Sequence, residues 1–199
     1  MGIFITVEGP NAVGKSTFIK NITQIAEQFC SVHSTKEPSK TELGEYVRRN
    51  ESKLHGKPYA HLIATDRCYH LEEDILPNLK THDVVISDRY IESSLVLQKF
   101  DGVDMEYIWK LNSDFLVPDL SLNLVAPDDQ LEQRLSSRSQ LSKFEIQMRR
   151  NDELRYYNDA RFFLKSKNFN IVVLDNSEVN FDRNLQIACE KIRELVYRK

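Results

Sequence analysis

The chain has 199 residues, 41% of them hydrophobic and 29% charged, a composition that can bury a sizeable core and excludes a disordered or fibrous protein. Its 27 basic and 30 acidic residues leave a net charge of −3, so no global positive field is available to hold a polymeric nucleic acid. At about 150 residues to a typical domain, the length favours one compact domain, spanning residues 1–199, with insertions.

Short β-branched runs alternate along the chain with stretches in which apolar residues recur at helical spacing. Strands are predicted over residues 3–8, 30–35, 83–88, 120–125 and 171–175. Helices are predicted over 15–28, 41–50, 59–79, 104–116, 127–135, 144–167 and 180–197. Such alternation implies an α/β fold, a five-stranded and mostly parallel sheet between two layers of helices. Ligands of these sheets sit beyond the carboxyl ends of the strands, so the residues after strands one, two and three are the ones that matter.

The 6 glycines and 6 prolines are scattered at turn-like positions, without repeat or linker. Cys30, Cys68 and Cys189 lie far apart and read as free thiols of a reducing compartment, small buried hydrophobes without a disulfide. The apolar runs fall well short of the ~18 residues that span a bilayer, and no basic-then-apolar signal opens the chain. A cytoplasmic protein without a membrane partner is expected.

Gly9-Pro10-Asn11-Ala12-Val13-Gly14-Lys15-Ser16 matches G-x-x-x-x-G-K-[ST] between a predicted strand and a predicted helix. Backbone N–H groups from Gly9 to Thr17 can surround a phosphate at a helix N-terminus, Lys15 can reach the β and γ oxygens of ATP, and Ser16 can ligate Mg²⁺. The third strand ends in Asp88, a second candidate Mg²⁺ ligand. A GTPase would carry an N-K-x-D base motif, and none occurs where the fourth strand ends.

Further motifs follow in order: T-[RK]-E-P at residues 35–38, A-x-D-R-x-x-H at 64–70, D-R-Y-x-x-S-S-x-x-x-Q at 88–98 and P-D-L-x at 118–121. With the phosphate loop they span most of the chain, and the sequence resembles the thymidylate kinases, a family of P-loop nucleoside monophosphate kinases. The resemblance implies a three-layer P-loop fold and phosphoryl transfer from ATP, with Mg²⁺, to a nucleotide acceptor, most simply thymidine monophosphate (dTMP). Arg89 would bind the acceptor phosphate and the transferring γ-phosphoryl group, Arg67 would read the base edge, and Glu37 would orient groups near the sugar and metal. Ile63, Tyr90, Ser94, Leu97 and Gln98 would line the acceptor pocket together with Asn11. A lid over residues 134–146 would close on ATP, with Arg138 and Lys143 as candidate transition-state cations beside Lys15 and Arg89. A homodimer stays open among the partners.

The departures from the family pattern fall in the acceptor half. Asn11 stands where the family has a carboxylate, Ser39 and Lys40 replace a glycine pair, Ile63 replaces an aromatic ring, Leu97 replaces a tyrosine that helps reject a ribose, and Ser142-Lys143-Phe144-Glu145 replaces D-R-x-E. A shifted acceptor, such as another pyrimidine nucleotide or a nucleoside, and a non-catalytic ATP-binding protein are the alternatives. Arg149, Arg150 and Arg155 read as a solvated face, His70 as a packed histidine, and Trp109, Tyr107 and Phe115 as core. Glu8 is open between supporting the loop and orienting a metal.

Overall fold

A computed structural model of the chain describes residues 1–136 and 141–198. Strand β1 (Ile3–Glu8) is buried along its whole length, as a central parallel strand with helices on both faces must be. Ile3, Ile5 and Val7 enter one apolar cluster and Phe4 enters the other, following the two-residue period of a strand. β3 (Val84–Asp88) and β4 (Leu120–Val125) flank β1, and β2 (Val32–Lys36) and β5 (Ile171–Asp175) form the edges, with every pairing parallel. Because β2 and β3 lie to one side of β1 and β4 and β5 to the other, a crevice opens at its carboxyl end.

Helices α1 (Lys15–Ala26) and α10 (Phe181–Tyr197) pack on the Ile5 face of the sheet. α3 (Gly56–His70), α4 (Leu76–Thr81), α5 (Ile91–Phe100), α6 (Met105–Asn112) and α9 (Arg150–Ser166) cover the Phe4 face. The three-layer α/β/α arrangement is therefore the predicted one. α2 (Glu42–Asn50) and α8 (Lys143–Gln147) join through a smaller cluster of Val47, Tyr59, Phe144 and Met148, and α7 (Asp128–Ser136) follows β4.

Three local differences have physical causes. The helix expected over 59–79 starts at Gly56 and widens over Leu71–Ile75, where the Leu76 N–H reaches back five residues to the Leu71 carbonyl. Pro77, lacking an N–H, sits in the first turn of the last segment, α4, which begins at Leu76. Helix α5 has no counterpart among the predicted elements, because seven of its ten residues are buried and no polar face marks a period. The helix expected over 144–167 breaks at Met148 and Arg149, both extended, since Met148 is drawn into the small cluster. Among the cysteines, all unpaired, only Cys189 is fully buried, and Cys30 and Cys68 are half-buried.

A polar seam lies beneath α5. Thr6 Oγ1 donates to Ser121 Oγ at 3.0 Å, and Asn123 Nδ2 donates to Ser121 Oγ at 3.2 Å and to Glu92 Oε2 at 2.8 Å. Glu92 Oε1 is buried without a hydrogen-bond partner. Burial, and then neighbouring Glu8, push the Glu92 carboxyl well above its usual range, with Arg161 opposing. A group whose folded pKa is raised favours folding below its unfolded pKa and loses that contribution as pH rises towards the folded value. Glu92→Gln keeps an acceptor for Asn123 and does not titrate, so it should raise the melting temperature more at pH 8 than at pH 5. Equal shifts at the two pH values would show that Glu92 folds without its proton.

Candidate functional site

The phosphate loop leaves β1 through Gly9 at φ 136° and enters α1 through Gly14 at φ 96°. A Cβ on Gly9 would stand 2.3 Å from the Leu124 carbonyl oxygen, so both backbone angle and space demand glycine. Lys15 Nζ is folded onto the loop, donating to the carbonyls of Gly9 and Pro10 at 2.9 Å each. Burial, and then the Arg89 charge, bring its pKa down to about 7; an anionic phosphate would restore its charge. Ser16 Oγ donates to Asp88 Oδ2 at 2.9 Å, and Asp88 Oδ1 is buried without a hydrogen-bond partner. A hydroxyl beside a carboxylate with an unsatisfied oxygen is a donor set that fits Mg²⁺. On the other flank a hollow is lined by Gly14, Thr17, Arg134, Asn176, Glu178 and Phe181. Its Asn176 Nδ2 and Arg134 Nη1 donate to the Val13 carbonyl at 2.7 and 3.3 Å.

Arg89 follows β3 with φ 74°, a left-handed conformation that costs a non-glycine residue about 1–3 kcal/mol. Glu8 holds this turn. Its carboxylate accepts from Tyr90 N at 2.7 Å and from Ser93 Oγ at 2.6 Å, so these bonds brace the Arg89 turn, where the sequence left Glu8 between supporting the phosphate loop and orienting a metal. Arg89 Nη2 donates to Asn11 Oδ1 at 2.7 Å, and Nη1 donates to Ser93 Oγ at 3.0 Å and to Tyr157 Oη at 3.2 Å. Three cavities meet here, one over the phosphate loop and two beyond it, and Arg89 alone among the described residues lines all three.

One of the cavities beyond the loop is lined by Glu37, Ile63, Arg67, Tyr90, Ser94, Leu97 and Gln98, and its neighbour by Asn11. The expected acceptor residues are thus brought together. Arg67 is 2% exposed. It donates through Nε and Nη2 to Glu37 Oε2 at 2.9 and 2.6 Å, through Nη2 to Ser94 Oγ at 2.9 Å, and through Nη1 to Asn112 Oδ1. Burial opposes the Glu37 charge, but Arg67 and His70 more than offset it and hold the carboxyl below its ordinary value. Buried His70 contacts Thr35 Oγ1 at 2.7 Å, the packed role expected of it. Ser39, in place of a glycine, is fully buried and ties Asp66 of α3 through its N–H at 2.8 Å and its hydroxyl at 2.6 Å. Gln98 Oε1 is buried without a partner.

Two expectations are corrected. Lys143 is not poised over the phosphate loop: its Nζ donates to both Asp101 oxygens at 2.7 Å, with the side chain 1% exposed. A buried, doubly bonded ammonium is held by its partner, which leaves Lys143 a structural clamp at the end of α5. Arg138 lies outside the described residues. Arg150 is not on a solvated face, because its Nη1 donates to the Asn11 carbonyl at 3.3 Å and pairs with Glu153. Arg155 is exposed and pairs with Asp152, as expected of it. Sequence reasoning missed Ser93, Glu153, Tyr157 and Asn176. Ser93 lies within the D-R-Y motif. Glu153 and Tyr157 sit one turn apart on a helix whose true start is set by the break at Met148, so their shared face has no phase visible in the sequence.

The thymidylate kinase family model matches residues 7–182. A probable thymidylate kinase of Caldivirga maquilingensis is 38% identical over 184 residues, covering 90% of this chain and 88% of the relative. One of Pyrococcus abyssi is 33% identical over 173 residues, covering 81% and 84%. A thymidylate kinase of Staphylococcus haemolyticus is 35% identical over 132 residues, covering 62% and 64%.

Removing one partner of a buried ion pair strands the other charge, so Lys143→Ala should destabilise the fold by about 3–5 kcal/mol in urea denaturation. A loss below about 1 kcal/mol, the range of an exposed pair, would show that water reaches Asp101 and that the clamp is not structural.

Proposed function

The chain belongs to the thymidylate kinase family, and from that membership we propose that it transfers the γ-phosphoryl group of ATP to dTMP, giving thymidine diphosphate and ADP. The bond between the β-phosphate oxygen and γ-phosphorus breaks as one forms to a dTMP phosphate oxygen. The observation that carries the reading is Arg89, whose guanidinium borders the phosphate-loop cavity and both cavities beyond it. A donor phosphate on one side and an acceptor phosphate on the other would share it. In a loose phosphoryl-transfer transition state, such positioning and charge neutralisation supply most of the catalysis.

Lys15 and the loop amides would hold the β and γ phosphates. Ser16 and Asp88 would hold Mg²⁺, which when bound supplies charge neutralisation on those phosphates. The hollow beside Gly14, Arg134 and Asn176 has room for the nucleoside of ATP. At the acceptor base, Arg67 Nη1 makes one of the two hydrogen bonds that it can donate, and the unpartnered Gln98 carbonyl is an acceptor suited to a pyrimidine N3–H. Ile63 and Leu97 add apolar lining to the same cavity, which suits a methyl-bearing base without a stacked ring. Residues 134–146 would act as the lid of a single domain, with Arg138 as its cation. None of the described helices is long and apolar enough to cross a membrane; we place the enzyme in the cytoplasm, with a second copy of the chain as a candidate partner.

Coupled ADP-release assays with ATP and Mg²⁺ should give the highest kcat/KM for dTMP among dTMP, deoxyuridine and uridine monophosphates. A preference for the ribonucleotide, or no release with any of them, would overturn the assignment. Arg89→Ala should lower kcat/KM for dTMP by at least tenfold, about 1.4 kcal/mol of transition-state stabilisation. A smaller loss would remove Arg89 from the phosphate bridge.

A further inference from the structure

The phosphate loop carries an amide at Asn11, and an amide has a direction. Asn11 Nδ2 donates to Glu153 Oε1 at 2.9 Å, the Asn11 backbone N–H donates to the same oxygen at 2.7 Å, and Asn11 Oδ1 accepts from Arg89 Nη2 at 2.7 Å. Only this sense of the amide satisfies both neighbours, since rotating it by half a turn would set its carbonyl against a carboxylate and its NH₂ against a guanidinium. Asn11 and Glu153 are both buried, where mismatched polar groups are costly. Glu153 Oε2 in turn accepts from Arg150 Nη1, so the carboxylate is held as well.

We propose that Glu153 is a positioning residue for phosphoryl transfer: it fixes the Asn11 amide with its carbonyl towards Arg89 and supplies, one side chain removed, the negative charge that Asn11 lacks. The inference rests on the dTMP kinase reading above. Its structural basis is the start of α9. Because the chain breaks at Met148 and Arg149, α9 begins with its first turn against the phosphate loop. Glu153 then meets Asn11, and Tyr157, one turn later, meets the other Arg89 nitrogen at 3.2 Å. The first turn of a helix also favours a carboxylate electrostatically. One helix thereby orients Arg89 directly through Tyr157 and indirectly through Glu153 and Asn11.

A charge swap tests this. Glu153→Gln removes the charge and leaves no side-chain orientation that suits both neighbours, since its NH₂ must face either the Asn11 donors or Arg150 Nη1. Asn11→Asp sets a second carboxylate beside Glu153. Each single variant should lower kcat/KM for dTMP at least tenfold, mainly in kcat, with KM for ATP changed less than about threefold. In the double variant, the amide introduced on α9 can turn its NH₂ to the carboxylate introduced on the loop and its carbonyl to Arg150 Nη1, giving up only the bond from the loop backbone N–H, while the other carboxylate oxygen faces Arg89. Activity should return to within about threefold of the natural chain, a coupling that two independent structural losses do not produce. Melting temperatures recorded alongside separate folding losses from catalytic ones. An unaffected Glu153→Gln variant, or a double variant whose loss is the product of the two single losses, would overturn the proposal. The natural chain assayed in parallel separates the two levels. If it releases no ADP with dTMP, the kinase reading falls and this inference with it; if it is active and the swap gives no rescue, only the positioning role falls.

Discussion

Two hydrogen bonds to a buried carboxylate, from the Tyr90 N–H and the Ser93 hydroxyl to Glu8, hold the turn on which the site depends. Glu8 ends β1 and the turn begins α5, so these bonds tie the strand that launches the phosphate loop to the helix that lines the cavity around Arg67. They also help hold Arg89 in a left-handed conformation that a free chain would leave. Strain at a functional residue persists only when its surroundings over-determine it. Here the Arg89 N–H bond to the Val7 carbonyl at 3.0 Å adds a further constraint.

The cations gathered at this crevice are preorganised for an anion. Lys15 rests on loop carbonyls, and its pKa is brought to about 7 by burial and by Arg89. Arg89 and Arg67, by contrast, carry partners that outweigh burial and keep their charges firm. Lysine is thus the cation with the least local compensation, and it sits where an incoming triphosphate brings the most negative charge. Donors fixed before the reaction need not reorganise as charge develops. The acceptor side is stiffer, because Arg67 is bound by Glu37, Ser94 and Asn112, which fixes the plane of the one Nη1 donor left for a base.

The fold and the phosphate loop's place in it were legible because they rest on local patterns. The β-branched runs gave all five strands, and the loop's glycines are demanded by backbone angles that no other residue adopts easily. What was not legible is set by tertiary contact. Helix α5 is buried nearly all round, so its ten residues show no amphipathic period. Met148 leaves helical geometry to fill a cluster with Val47 and Tyr59, without a proline or glycine to announce it. The family resemblance put Lys143 among the lid cations, but its charge is satisfied by Asp101, 42 residues earlier in the chain.

The departures from the family pattern share a physical logic. A changed side chain close to the site is tolerated when a second side chain, distant in sequence, completes its bonding. Ser39 in place of a glycine would crowd the pocket if it pointed there, yet it is fully buried and bound to Asp66, so the added atoms anchor α3. Asn11 would misdirect a donor towards Arg89 if its amide were free, and Glu153 removes that freedom. Lys143, a single cation in place of a planar guanidinium, finds two oxygens of one carboxylate. In each case the substituted side chain is completed by a partner far along the chain. Motif matching alone therefore misses these pairs, which join residues that only the folded chain brings together.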